Sequence, residues 1–321
     1  MANPKIKARK RNPAGQGARS AGGSPLSCSS QYLESARSAA SRWRELSAER
    51  KTIDPGDDWI HDVRVTARRL MEILALARPH FKKRKLRRQL KRLIRTLGPV
   101  RQADVTLSFL SKEAGRYFSE LGEEFERQRE KERRRLDLES LWVSAKRVEA
   151  IGSNLAGARS KNAPRFERRF VASRKRLLEK RLAPFATSSK RPASPANFHR
   201  FRIAAKKLRY FLECSAAGEE REILKAARVF QGSAGDWHDA AVAQRQLVKF
   251  QKTKPKSGKP GEAVRRAGKL VAARRDHLHE IALRKFDLLA SSLGLAVLGQ
   301  VRRRRSRGSR SEPSRARGPA R

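Results

Sequence analysis

His61 to Leu74 reads HDVRVTARRLMEIL, and His199 to Leu212 reads HRFRIAAKKLRYFL. Both phrases carry His, Arg, a β-branched residue, Ala, two cations and Leu at the same offsets, half a chain apart. A second echo follows each: LGPVRQADV over 97–105 and SAGDWHDAAV over 233–242. The chain therefore reads as a duplicated helical unit that presents two similar sets of cationic side chains. Such a pairing suits a long anion bearing many phosphates.

At about 100° per residue, Val63, Ala67, Leu70 and Leu74 share one side of a helix while His61, Arg64 and Arg68 take the other. In the second copy Phe201, Ala205, Leu208 and Leu212 make the apolar stripe, opposed by His199, Arg202, Lys206 and Arg209. Arg69 and Lys207 flank these lines. The stripes are the expected core. Apolar spacings of three and four run through the rest of the chain, and β-strand alternation is absent. They predict helices at 31–50, 56–78, 82–97, 103–113, 117–151 with a break near Asp137, 165–183, 195–215, 219–231, 239–251 and 262–300 with a break. Asp54 before Pro55 and Ser194 before Pro195 are expected N-caps, which places both leading histidines early in their helices. The expected class is all-α, built as antiparallel bundles.

The formal charge is +45 on 321 residues. Residues 1–30 and 301–321, rich in Gly, Pro, Ser and Arg, read as disordered and carry +6 and +8 of it. The remaining +31 lies on residues 31–300, so the folded part is itself cationic. Nucleic acid, polyphosphate and an acidic membrane surface all fit that charge. Residues 186–197 and 252–261 read as exposed linkers, the first dividing repeat 1 (about 31–185) from repeat 2 (about 195–300). No stretch reaches the roughly 18 apolar residues of a membrane helix, so membrane insertion is not expected. Cys28 and Cys214 form neither a disulfide framework nor a metal-ligand cluster, which suits a reducing, cytoplasmic location.

Like charges at spacings of three and four each cost a few tenths of a kcal/mol, and Glu72 is the one clear acid on these faces. An anion relieves that cost: a phosphate oxygen about 4 Å from a guanidinium gains roughly 4 kcal/mol at an effective dielectric of 20, before desolvation. Arg101 and His238 hold matching places in the second echo, forty and thirty-nine residues after His61 and His199. A single basic helix face is usually just solvated. Agreement between two copies in position, spacing and leading histidine favours a ligand.

These paired phrases, in this order in both halves, resemble the CHAD domain (conserved histidine α-helical domain) across about residues 31–300. The resemblance implies two four-helix bundles related by pseudo-twofold symmetry, with basic residues lining a central groove. It also implies binding of inorganic polyphosphate and association with polyphosphate granules in bacterial cytoplasm. The implied contacts are His61, Arg64, Arg68, Arg69 and Arg101 in the first repeat, and His199, Arg202, Lys206, Lys207, Arg209 and His238 in the second. Lys91 and Arg228, each ten residues before Arg101 and His238, match a further basic position. Met71 and Gln102 depart from the family pattern where Arg and Asp are usual, so the first repeat is expected to bind less strongly. Asp104 and Asp239 either orient Arg101 and His238 or cap a helix, and capping is the expected role.

Catalysis is not expected. The CYTH domain that partners CHAD domains carries an ExExK strand in a β-tunnel, and EEFERQ from Glu123 lacks both the Lys and a strand. No nucleophile with an adjacent base and no phosphate-binding Gly loop is visible, and no cofactor is implied. His61, Asp62, His238 and Asp239 lack HxxxH or HExxH spacing, so no metal is expected. Nonspecific nucleic-acid binding, chiefly through the arginine-rich tails, is the main rival. Aromatics are 6% of residues and do not interleave with the basic stripes, which argues against base stacking.

Overall fold

The computed structural model describes residues 28–50, 57–81, 83–186, 194–253 and 259–294. Among them the chain forms helices and no strand, in the order α1 (Cys28–Glu49), α2 (Asp57–Leu76), α3 (Arg84–Glu113), α4 (Phe118–Arg134), α5 (Leu138–Leu141), α6 (Ala145–Lys161), α7 (Ala163–Ala186), α8 (Pro195–Ser215), α9 (Glu220–Thr253) and α10 (Lys259–Ser292). A single 3-10 turn, Gly115–Tyr117, joins α3 to α4. The expected disordered tails fall outside the described residues, apart from Cys28, Ser29 and Ser30, which open α1. Most of the two expected linkers and the Asp54–Pro55 cap also lie outside them.

The second N-cap is present: the Ser194 side chain accepts from the Asn197 amide at 3.2 Å, and Pro195 opens α8. His61 and His199 are each the fifth residue of their helices. Asp137 caps α5 through the Ser140 amide at 3.1 Å, at the break expected there.

Two expected interruptions are absent: helix α3 passes straight through Gly98 and Pro99, and α9 through Gly232, Ser233 and Gly235. Helix α10 is continuous to Ser292 and gives way to a turn at 293–294, and the rest of the span expected to reach 300 lies outside the described residues. A proline inside a helix removes an N–H and strands a carbonyl about one turn back. Arg64 Nη1 of α2 donates to the Ile94 carbonyl at 2.5 Å, one residue before Arg95, whose carbonyl Pro99 leaves without its helical donor. In α9, burial of Phe230, Ala234, Trp237 and Ala240 supplies a packing energy that outweighs the weak helix propensity of the glycines.

The predicted stripes are buried: Val63, Ala67, Leu70 and Leu74 in α2, and Phe201, Ala205, Leu208 and Leu212 in α8. One apolar cluster runs through both halves, from Tyr32 in α1 to Leu289 in α10. A smaller one, with Leu107, Leu110, Leu121, Phe125, Leu247 and Val271, joins α3 and α4 to α9 and α10. Helix α2 packs on α8 and α3 packs on α9, so the two copies of the motif face each other. Helix α7 packs on both α6 and α8.

Glu72, the acid expected on the first cationic face, is instead buried. Arg181 Nη2 on α7 donates to both its oxygens, at 2.9 and 2.7 Å. The cationic face of α2 is thereby left without its one local acid.

Candidate functional site

Where α2, α3, α8 and α9 meet, with α4 closing one side, a groove of about 750 Å³ opens. Eight of the thirteen expected residues line it: His61, Arg64 and Arg68 from α2, Arg101 from α3, Arg202, Lys206 and Arg209 from α8, and His238 from α9. The two halves contribute four each. Lys249 adds a further cation, while Glu132 and Asp239 are the two carboxylates in the lining. Gln102, Gln128, Gln231, Gln246 and Tyr210 supply neutral donors and acceptors.

Crowding of like charge in a half-buried groove shows in the titration of its groups. Burial, then the charges of Arg68, Arg202, Arg64 and Arg209, lower the Lys206 ammonium to about 6. Burial with Arg68 and Arg101 lowers Arg64 to about 10. Desolvation and neighbouring cations likewise lower His61, and bring His238 down to about 3. Arg68 is lowered by burial although Tyr210 hydrogen-bonds it. Asp239 is raised to about 6 by burial, against the pull of Arg202. At neutral pH Lys206, His61 and His238 are therefore largely deprotonated and take up protons when negative charge arrives.

That gives a signed pH dependence. An anion raises the pKa values of Lys206, His61, His238 and Asp239, so binding takes up protons and tightens as pH falls. For Lys206 the gain levels off near its lowered value of about 6, below which the lysine is already protonated before an anion binds. Sulfate, which does not itself titrate there, should bind roughly tenfold more tightly at pH 6 than at pH 9. Calorimetry in buffers of different ionisation enthalpy should show net proton uptake at pH 7 to 8; proton release would reject the assignment.

The other five expected residues lie elsewhere. The His199 ring stands 5.1 Å from that of His238, and it lines a neighbouring depression with Trp237, Arg245 and His279. Lys207 shares a further depression with His199, Lys180 and Arg200 along α7 and α8. Arg69 and Arg228 converge with Arg209 on the single carboxylate of Glu213, at 3.2, 3.5 and 3.4 Å. Lys91 is exposed on α3 and is not part of the groove lining.

The expected capping role of Asp104 and Asp239 does not hold, because both sit inside long helices. Asp104 is buried and lies 3.6 Å from Arg133 of α4, so it tethers α4 against α3. Asp239 lines the groove beside Arg202. Sequence reading missed Lys249, Gln231 and Gln246. On an unbroken α9 the first two lie within about 20° of His238 and Gln246 within about 80°.

Among the described residues no cluster of three or more His, Cys, Asp or Glu side chains could hold a metal ion. None of the described helices is long and apolar enough to cross a membrane.

Two solved structures share the fold. A CHAD domain from the plant Ricinus communis superposes with a TM-score of 0.57 at 23% identity, covering 81% of this chain and 92% of that one. PptA from Streptomyces chartreusis superposes with a TM-score of 0.54 at 16% identity, covering 82% and 99%. No curated protein matches significantly. The CHAD domain profile matches residues 31–248, a span that takes in both copies of the motif and every side chain expected in the groove. With two thirds of its length accounted for in this way, the chain belongs to the CHAD domain family.

Proposed function

We propose that the protein binds inorganic polyphosphate in the groove without hydrolysing it, in the cytoplasm and at polyphosphate granules. One observation carries the reading: seven Lys and Arg side chains, drawn from both copies of the motif and from α9, converge on one cavity against two carboxylates. Arginine forks match phosphate oxygens, and Lys206 meets them as a point charge. A small anion such as sulfate meets only a few of these cations at a time and binds weakly. A linear polyanion engages several at once and releases counterions as it binds.

The test is a competition at about 150 mM salt between long-chain polyphosphate and duplex or single-stranded DNA, using the full chain and the Arg202→Ala/Lys206→Ala variant. The wild type should prefer polyphosphate, and the variant should lose at least roughly tenfold in polyphosphate affinity with helix content unchanged. DNA affinity should be nearly the same in both, since the tails supply it. Equal affinity for DNA and polyphosphate, with both falling in the variant, would place nucleic acid in the groove. Release of orthophosphate from polyphosphate by the purified chain would overturn the non-catalytic reading.

A further inference from the structure

Seven cations crowd the N-terminal half of α3: Arg84, Lys85, Arg87, Arg88, Lys91, Arg92 and Arg95. All seven are exposed, and no Asp or Glu occurs between Ile73 and Ala103. They make eight like-charged neighbour pairs at spacings of three and four, each of them repulsive. The helix also begins at Lys83 without a side-chain cap and without an acid in its first turn, so the positive end of the helix dipole adds to the same field. Such a stretch is held against its own repulsion by the opposite face, where Leu86, Leu90, Leu93 and Leu97 are buried.

The position of this stripe is what distinguishes it from ordinary solvated charge. At 100° per residue, Arg84, Arg88 and Arg95 fall within about 40° of Gln102, which lines the groove, and α3 is continuous between them. The stripe therefore leads into the groove along one helix face, over about 27 Å from Arg84 to Gln102. The corresponding stretch of the second copy does not repeat it. Arg221 to Gly232 holds three cations and Glu222, which pairs with Lys225 at 2.7 Å. Between these two corresponding stretches, only that of α3 forms a continuous cationic face.

We infer that the exposed face of α3 from Arg84 to Arg95 is a second, outer segment of the polyphosphate site, which holds the part of a long chain that emerges from the groove and so makes affinity depend on chain length. The inference rests on the proposed function. It gives Lys91, expected to bind yet absent from the groove lining, a place on the outer track.

The experiment compares tripolyphosphate with long-chain polyphosphate on the full chain and on Arg84→Gln/Arg88→Gln/Arg92→Gln/Arg95→Gln. Long-chain polyphosphate should bind the variant roughly tenfold more weakly, with the slope of log affinity against log salt reduced by about 3. Tripolyphosphate affinity should be unchanged, and the matching Arg→Lys variant should keep the wild-type affinity for both. Unchanged long-chain affinity, or an equal loss of tripolyphosphate, overturns the outer track. So does loss of duplex DNA with long-chain polyphosphate retained. The groove variant Arg202→Ala/Lys206→Ala separates the two readings: if it keeps both phosphates, the groove reading itself falls, whereas a silent α3 variant beside a defective groove variant removes the outer track alone.

Discussion

Lys206→Met should give a protein that melts higher and binds polyphosphate more weakly. Lys206 sits among Arg64, Arg68, Arg202 and Arg209, and burial with their charges lowers its ammonium to about 6. The unfolded chain keeps that proton up to the ordinary value of 10.5. Between those two values the unfolded state binds more protons than the folded one, so the lysine's contribution to stability is unfavourable at low pH and improves as pH rises. Methionine keeps the aliphatic stem and removes the charge. A gain of about 2 kcal/mol at pH 7, or roughly 4 to 8 °C in Tm, is expected. Loss of one charge-assisted contact should meanwhile weaken polyphosphate roughly ten- to hundredfold. Thermal melts at pH 6 and pH 9, with and without polyphosphate, check both parts. The stability gap should be wider at pH 6 than at pH 9, and polyphosphate should raise the wild-type Tm more than that of the variant. A variant that melts lower than the wild type would show that Lys206 holds the fold together.

The parts of the site that are legible in sequence are those set by the period of a single helix. Helical period alone places Arg64, Arg68, Arg202 and Lys206 opposite the core stripes, and those residues do line the groove. Period cannot say how far a neighbouring helix covers a flank. Arg69 and Lys207 each lie one residue from a groove cation, and they turn to Glu213 and to the α7 side instead. Arg228 is drawn away by the same Glu213, a contact between helices that no local pattern encodes. Gly98 with Pro99, and Gly232 with Gly235, read as turns because their propensity is poor. Tertiary packing overrides it: Leu97 and Val100 are buried on either side of Gly98 and Pro99, and Trp237 and Ala240 bury the far side of α9. That error hid Lys249 and Gln246, which become groove residues once α9 is continuous.

Arg181→Leu should be the most destabilising single change outside the apolar core. Arg181 and Glu72 have side chains only 11% exposed each, and one guanidinium nitrogen reaches both carboxylate oxygens. Neither residue lines the groove, but the pair joins α2, which carries the first copy of the motif, to α7, which packs on α8 and the second copy. Removing the arginine leaves Glu72 buried beside an apolar side chain with its charge uncompensated. Such a loss costs about 3 kcal/mol, or roughly 6 to 12 °C in Tm at this size. The double variant Glu72→Leu/Arg181→Leu should recover most of that stability, because two packed leucines need no counter-charge. Polyphosphate affinity gives the discriminating readout. If the pair sets the spacing of the two copies, binding should weaken in Arg181→Leu under conditions where the chain is still folded, and should stay weakened in the stable double variant. Full recovery of binding along with stability would mean that the pair contributes only to folding, and that core packing between α2 and α8 alone holds the groove open.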